Sequence, residues 1–185
     1  MLQPPPATPK TYNTSLSKPN HSITLSIPTN QALLYRMSGD TNYIHVEGMG
    51  DSNNDNNNNN DNNNDDKKEP PILHGLCTLA IIVRKVLLHQ QHQDDNKHVQ
   101  LNYVGCKFTK PVLVGDTLQI LLWRHDNNNN NNTNISTLSF QAFKLCPPDV
   151  HSSSRQKKRV LVVDHGIIEL QPKAQTRYNE VTSKL

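Results

Sequence analysis

The feature that most constrains the fold is an apolar segment between Ile72 and His89. Its apolar residues recur at the three- and four-residue spacing of a helix, at Leu76, Leu79, Ala80, Val83, Val86 and Leu87. Further apolar residues widen this stripe to nearly the whole circumference, at Ile72, Leu73, Ile81, Ile82 and Leu88. A helix that is apolar almost all round has to be covered on nearly every side. We therefore predict a buried central helix.

Segments with the alternating pattern of β-strands surround this helix in the sequence. One short strand, Ser22–Ile27, and a short helix that Gly39 ends precede it. Four more candidates follow it, at Val99–Phe108, Thr117–Arg124, Ile135–Leu145 and Val160–Leu170. One buried helix combined with several strands predicts an α+β domain in which an antiparallel sheet wraps round the helix.

Polar segments flank and interrupt this predicted domain. Residues 1–21 are rich in Pro, Ser, Thr and Asn, and we expect a disordered lead-in there. Asn-rich insertions at 51–68 and 126–134 cannot bury enough apolar surface to offset the entropy of ordering, so we expect solvated loops. The sequence thus predicts one domain at 22–172, followed by a tail at 173–185.

Charge and composition argue against several functional classes. The formal net charge of +3 is too small to indicate a nucleic-acid partner. No apolar stretch reaches the length of a membrane span, and the first residues lack a secretory signal. The three cysteines, Cys77, Cys106 and Cys146, lack paired or metal-binding spacing and indicate reduced thiols. His89, His92 and His98 stand among polar residues and favour a solvated helix end over a metal site.

Asp40, Asn42 and His45 lie within six residues of one another, just after the first predicted helix. A carboxylate beside an imidazole can hold a water molecule and exchange protons with it, which is general acid–base chemistry. The Asn42 amide could hold a substrate group or hold Asp40 in place. The same residue types also commonly cap helices and stabilise turns, so the residues alone leave both interpretations open.

Gly75 lies in the first turn of the predicted central helix. The first N–H groups of a helix have no partner inside it, and the helix dipole favours negative charge there. Glycine also lets another molecule approach the backbone closely. This arrangement suits an oxyanion hole, although a glycine near a helix start is common.

The segments that carry these residues resemble a known family. Residues 35–45 read YRMSGDTNYIH, and residues 71–77 read PILHGLC. Together they resemble the hydratase 2 motif of the MaoC-like family, in which Y-x-x-S-G-D-x-N-P-x-H precedes P-I-L-H-G-L-C. The resemblance extends roughly from Gln31 to Gln171. It implies the hot-dog fold and a hydro-lyase that adds water to trans-2-enoyl-CoA to give (3R)-3-hydroxyacyl-CoA.

The resemblance also implies roles for individual residues. Asp40 and His45 would be the catalytic dyad, Asn42 the supporting amide, and Gly75 the backbone donor to the thioester oxygen. CoA would be part of the enoyl-CoA substrate, with no separate cofactor and no metal. Tyr43 stands where the family usually has proline, and the first Asn-rich insertion separates the dyad from the helix. These departures keep two alternatives open: another hot-dog acyl-CoA enzyme such as a thioesterase, or a catalytically inactive acyl-CoA-binding subunit.

The last three residues, Ser183, Lys184 and Leu185, match the peroxisomal address that an import receptor reads. We therefore expect a peroxisomal enzyme of fatty acid β-oxidation. Eukaryotic enzymes that this chain resembles carry the motif in the second of two hot-dog repeats, whereas about 30 residues precede the motif here. A lone sheet would leave an edge strand and apolar surface uncovered, so we expect a homodimer with a shorter acyl pocket.

Overall fold

The computed structural model of the protein describes residues 17–45, 70–93, 99–125, 135–147 and 158–172. Its elements, in chain order, are β1 (His21–Ser26), α1 (Gln31–Arg36), a 3₁₀ turn (Tyr43–His45), α2 (Gly75–Gln93), β2 (Val99–Phe108), β3 (Thr117–His125), β4 (Ser136–Leu145) and β5 (Arg159–Pro172). Both predicted Asn-rich insertions and the tail at 173–185 lie outside the described residues.

The five strands form one antiparallel sheet with the order β1-β3-β4-β5-β2. In β3, Leu118, Ile120 and Leu122 alternate with less buried residues and are at most 1% exposed. Alternate residues of a strand share one face, so these three side chains lie on the core side of the sheet. They belong to the same buried cluster as Ile82 and Val86 of α2. The predicted α+β architecture, with a sheet packed against a central helix, is confirmed.

The central helix begins later than its hydrophobic pattern predicts. Ile72 forms an isolated antiparallel bridge with Leu113, and the Leu73 N–H donates to the Val112 carbonyl over 2.7 Å. These two apolar residues are therefore extended and paired with another segment, although the helical pattern includes them. Gly75 is consequently the first residue of α2.

Burial of α2 is also less complete than predicted. Cys77, Ile82 and Val86 face the sheet and are at most 3% exposed, but Leu76 is 58% exposed. Along the uncovered side, α2 and β2 line an apolar groove of about 550 Å³, with Leu76, Leu79, Val83, Leu87, Leu101 and Val104 among its residues. Within the described ranges the sheet covers one side of the helix only, so the prediction of burial all round is wrong. No helix in these ranges is long and apolar enough to cross a membrane.

The residues just before β1 belong to the domain. Trp123 donates its indole N–H to the Ser17 carbonyl over 2.9 Å, and the Arg124 N–H donates to the Asn20 side chain over 2.7 Å. Because β1 itself begins at His21, residues 17–21 are not part of a disordered lead-in. Residues 1–16, the rest of the predicted lead-in, lie outside the described part of the chain.

Gly166 in β5 packs directly against the ring of Phe140 in the core. A Cβ added there would lie 2.5 Å from the ring of Phe140, which is 0% exposed. Gly166→Ala must therefore displace a core side chain, and we predict a loss of about 1–3 kcal/mol in the free energy of unfolding, measured by urea denaturation. Gly105→Ala is the control, because its Cβ would meet the terminal hydroxyl of Tyr103, which can swing away. Equal losses in both variants would contradict this account.

Candidate active site

The loop after α1 is shaped by its own polar side chains. Gly39 takes up a left-handed conformation with φ 101°, which turns the chain away from the helix. The Asn42 N–H then donates to Asp40 Oδ1 over 3.1 Å, and the Ile44 N–H donates to Asn42 Oδ1 over 3.3 Å. These bonds are the ordinary turn contacts of Asp and Asn. They leave the second carboxylate oxygen of Asp40, Oδ2, free of the turn.

His45 is held by the segment that precedes α2. Its Nδ1 lies 2.7 Å from the Ile72 carbonyl oxygen. A carbonyl can only accept, so Nδ1 carries the proton, and Nε2 is the acceptor in the neutral ring. The Ile72 N–H in turn donates to the Ile44 carbonyl over 3.3 Å. The two halves of the motif, separated in sequence by the first insertion, are thus joined directly.

Asp40 and His45 face each other across a gap. Their Oδ2 and Nε2 atoms are 4.0 Å apart, too far for a direct hydrogen bond, and the two side chains are only 17% and 15% exposed. Asp40 Oδ2 is buried and has no hydrogen-bond partner in the described ranges. A water molecule that donates one hydrogen to each atom, at about 2.8 Å, would span this gap. The structure therefore brings the predicted dyad together in a geometry that suits water binding.

Gly75 is the first residue of α2, so its N–H has no partner within the helix. No acceptor for this N–H is present among the described residues. A Cβ at this position would lie 3.2 Å from the Phe108 ring, so glycine leaves room that another residue would fill. The predicted donor is thus available at a helix start, where negative charge is favoured.

Asn42 acts on Asp40 through its backbone. Its N–H binds Asp40 Oδ1, whereas its side-chain oxygen accepts from Ile44 within the loop. The side chain itself is exposed. The predicted role of this amide in supporting the dyad or the substrate stays a prediction. Ser183, Lys184 and Leu185, the predicted targeting residues, lie outside the described part of the chain.

His74, which was not among the predicted site residues, also lies in a cluster with Asp40 and His45. Its Nδ1 accepts from the Leu76 N–H over 3.1 Å, so His74 caps the start of α2. Its ring stacks on Tyr35 with centroids 5.0 Å apart and lies tilted against the His45 ring at 5.1 Å. Its place directly before the helix was the available signal, but histidine is not among the residues preferred at that position.

Asp40, His45 and His74 each offer a ligand atom, and these atoms lie within 4.8 Å of one another. This spacing could hold a metal ion. However, the neutral His74 ring has a single lone pair on nitrogen, and that lone pair already accepts from Leu76. For His74 to serve as the third metal ligand, it would therefore have to give up the hydrogen bond from Leu76 that caps α2. The expectation of a metal-free site stays a prediction.

Cys77 lies nearby on the buried face of α2. Burial raises the pKa of its thiol, and the hydrogen bond from Gln31 Nε2, 3.6 Å long, opposes that rise only in part. The thiol therefore stays protonated near neutral pH and is a poor nucleophile. Its observed contact ties the first residue of α1 to α2.

A family model described as "MaoC like domain" matches residues 66–140. The chain is similar to this family over the matched residues. The match spans α2, β2, β3 and the first half of β4, and it begins after the loop that holds Asp40 and His45. The interpretation of that loop as part of the site therefore rests on its own residues and on its hydrogen bonds to Ile72.

Two curated relatives are similar to part of this chain. The mouse peroxisomal multifunctional enzyme type 2 is 36% identical over 106 residues, which are 57% of this chain and 12% of the relative. A probable enoyl-CoA hydratase 2 from Dictyostelium discoideum is 32% identical over 113 residues, 60% of this chain and 31% of the relative. The chain thus spans less than a third of the length of either protein.

The fold is shared with solved hydratase structures. An (R)-hydratase from A. caviae superposes with a TM-score of 0.54 at 18% identity, covering 87% of this chain and all of the other. At this level of identity the likeness concerns the fold alone. It confirms the predicted hot-dog fold.

Proposed function

We propose that this chain is a (3R)-specific 2-enoyl-CoA hydratase, a hydro-lyase that adds water to trans-2-enoyl-CoA. The observation that carries the proposal is the pair of acceptors, Asp40 Oδ2 and His45 Nε2, which face each other across 4.0 Å. The similarity to enzymes named enoyl-CoA hydratase 2 and peroxisomal multifunctional enzyme type 2 supports it.

The geometry suits a water molecule as the nucleophile. A water that donates both hydrogens, one to Asp40 and one to His45, directs its oxygen lone pairs away from the dyad. Because His45 Nδ1–H is bound to the Ile72 carbonyl, Nε2 is the nitrogen able to take a proton. The imidazolium that forms then lies beside the Asp40 carboxylate, which stabilises its charge.

In the proposed reaction, His45 carries one proton from the water to Cα of the substrate. His45 Nε2 takes one proton from the water while the water oxygen bonds to Cβ of the enoyl thioester. The electrons of the double bond move to the thioester oxygen, and the Gly75 N–H donates to that developing negative charge. His45 then returns its proton to Cα, which regenerates the neutral imidazole and completes the 3-hydroxyacyl thioester. CoA takes part only as the carrier on the substrate.

Turnover of crotonyl-CoA by the purified chain tests the proposal. We expect loss of the conjugated enoyl thioester and formation of (3R)-3-hydroxybutyryl-CoA, identified by chiral chromatography. Release of free CoA thiol without hydration would instead indicate a thioesterase. Binding of the substrate without either reaction would indicate an inactive acyl-CoA-binding subunit, and both results would refute the hydratase assignment.

We further propose that two copies of the chain pair through the apolar groove on α2 and β2. Apolar surface of this kind is unfavourable in water, and β2 is an edge strand of the sheet. We predict a homodimer by light scattering and a monomer for Leu101→Lys, which places a charge in the groove. Leu34→Lys, at an equally apolar exposed site on α1, should stay dimeric. A monomeric wild-type chain would contradict the prediction.

We further propose that the acyl pocket favours short acyl groups. A series of enoyl-CoA substrates of increasing acyl length measures this preference through kcat/KM. Higher kcat/KM for long chains than for short ones would refute the proposal of a shorter pocket.

The proposed cellular site is the peroxisome, where an import receptor would read Ser183-Lys184-Leu185. The names of the multifunctional relatives support it. A fluorescent fusion that ends in these residues should co-localise with peroxisomal markers, and deletion of Leu185 should make it diffuse. A diffuse signal from the intact terminus would contradict this location.

A further inference from the structure

His74 touches both halves of the candidate site. It directly precedes α2, and its Nδ1 accepts the N–H of Leu76 in the first helical turn. Its ring lies between two others, stacked on Tyr35 at an interplanar angle of 23° and tilted against His45 at 59°. One side chain therefore contacts the helix start that presents Gly75 and the ring that faces Asp40.

The hydrogen bond from Leu76 indicates which tautomer the neutral His74 ring adopts. Because Nδ1 accepts a backbone N–H, the proton of the neutral ring is on Nε2. With the Leu76 N–H satisfied by the ring and the Thr78 N–H bonded to the His74 carbonyl over 3.0 Å, the first turn is held in place. The direction of the neighbouring Gly75 N–H depends on that turn.

The ring contact acts on His45. The bond to Ile72 fixes one edge of the His45 ring but leaves its faces to be packed by neighbours. His74 lies against the ring at 5.1 Å and is itself backed by Tyr35, which α1 holds. This packing restricts rotation of His45 and keeps Nε2 directed toward Asp40.

We propose that His74 is a positioning residue, which aligns the Gly75 donor through its helix cap and the His45 base through its ring. This inference rests on the proposed hydratase function for its kinetic consequence. The competing interpretation is a metal ligand, because His74 also completes the three-residue cluster with Asp40 and His45. The hydrogen bond from Leu76 favours positioning, since it occupies the lone pair that a metal would need.

Three variants separate the two contacts. His74→Asn retains an acceptor suited to a helix cap but removes the ring, whereas His74→Phe retains a ring but removes the acceptor. His74→Ala removes both, and we expect its kcat to fall about 10²-fold, as misalignment of a site does, with KM changed far less. His74→Asn and His74→Phe each keep one of the two contacts, so the kcat of each should lie between that of His74→Ala and that of the wild type. His92→Asn, an exposed site on the same helix, should retain wild-type kcat.

A measurement independent of turnover completes the test. Nitrogen NMR of histidine-labelled protein should show the Nε2–H tautomer for His74, and His45 should lose its single Nδ1–H tautomer in His74→Asn. Wild-type kcat in His74→Ala, with hydration still present, would overturn the positioning role alone. An Nδ1–H tautomer at His74 would overturn the positioning role. One zinc ion bound per wild-type chain and lost in His74→Ala would also overturn it. Both results hold whether or not the wild-type chain hydrates crotonyl-CoA.

Discussion

Asp40→Asn and His45→Gln are each expected to lower the hydratase kcat by about 10²–10⁴-fold, the contribution of a positioned acid–base group. An amide at position 40 can still accept the Asn42 N–H, so the loop should keep its shape. It no longer offers a charged oxygen to the water or to the imidazolium. A glutamine at position 45 can reach the Ile72 carbonyl but cannot take a proton at neutral pH.

The double variant should lose little more activity than the worse single variant. Both groups act on the same water molecule, and residues that act as one unit have effects that do not add. Steady-state kinetics with crotonyl-CoA, together with unchanged circular dichroism, measures this. Hydration that survives both substitutions would remove the dyad from the mechanism.

A matched control exists on the surface of the sheet. Asp164 and His165 in β5 form another carboxylate–imidazole pair, 3.0 Å apart, with a His165 side chain that is 57% exposed. Burial alone would raise the pKa of Asp164, but hydrogen bonds from Gln141 and His165 and the charge of His165 lower it. Asp164→Asn and His165→Gln should keep kcat near wild type. A fall equal to that of the dyad variants would mean that loss of fold, not of chemistry, explains both.

Much of the fold could be predicted because its signals are local. The predicted Val99–Phe108 has the bounds of β2, and the other predicted strands lie within two residues of those observed. The alternation of a strand and the three- to four-residue spacing of a helix are patterns among neighbouring residues, so they can be read from the sequence directly. The start of α2 could not be found in this way. Ile72 and Leu73 continue the helical stripe, but they pair with Leu113 and Val112 from a distant segment.

In the candidate site, too, local features could be predicted and contacts between distant segments could not. Asp40 and His45 are close in sequence, so their proximity was predictable from residue types. The tautomer of His45 depends on the Ile72 carbonyl, 27 residues away across the insertion. His74 gave no signal through polarity or periodicity, since its contacts in the structure are one backbone hydrogen bond and two ring contacts. The His45–Ile72 hydrogen bond is long-range and leaves no trace in local sequence patterns. Only the motif resemblance joined the two halves of the site in advance.

Gly75→Pro should lower kcat by about 10²–10³-fold, the cost of removing one oxyanion donor. Proline is well accepted as the first residue of a helix, because the N–H it lacks has no partner inside the helix. Its restriction on the preceding residue also suits His74, which caps the helix and need not be helical itself. The substitution therefore removes the proposed donor while α2 keeps its start.

Gly75→Pro both adds a side chain and removes the N–H, so the effects of these two changes on kcat have to be separated. Gly75→Ala introduces a Cβ at 3.2 Å from the Phe108 ring but keeps the N–H, and Phe108 is 44% exposed and free to shift. We expect alanine to retain most of the activity, so the ratio of kcat between the Ala and Pro variants measures the donor. The loss should appear in kcat more than in KM, because the charge on the thioester oxygen is largest in the transition state. Equal activity of the two variants, with α2 intact by circular dichroism, would show that the Gly75 N–H does not serve the reaction.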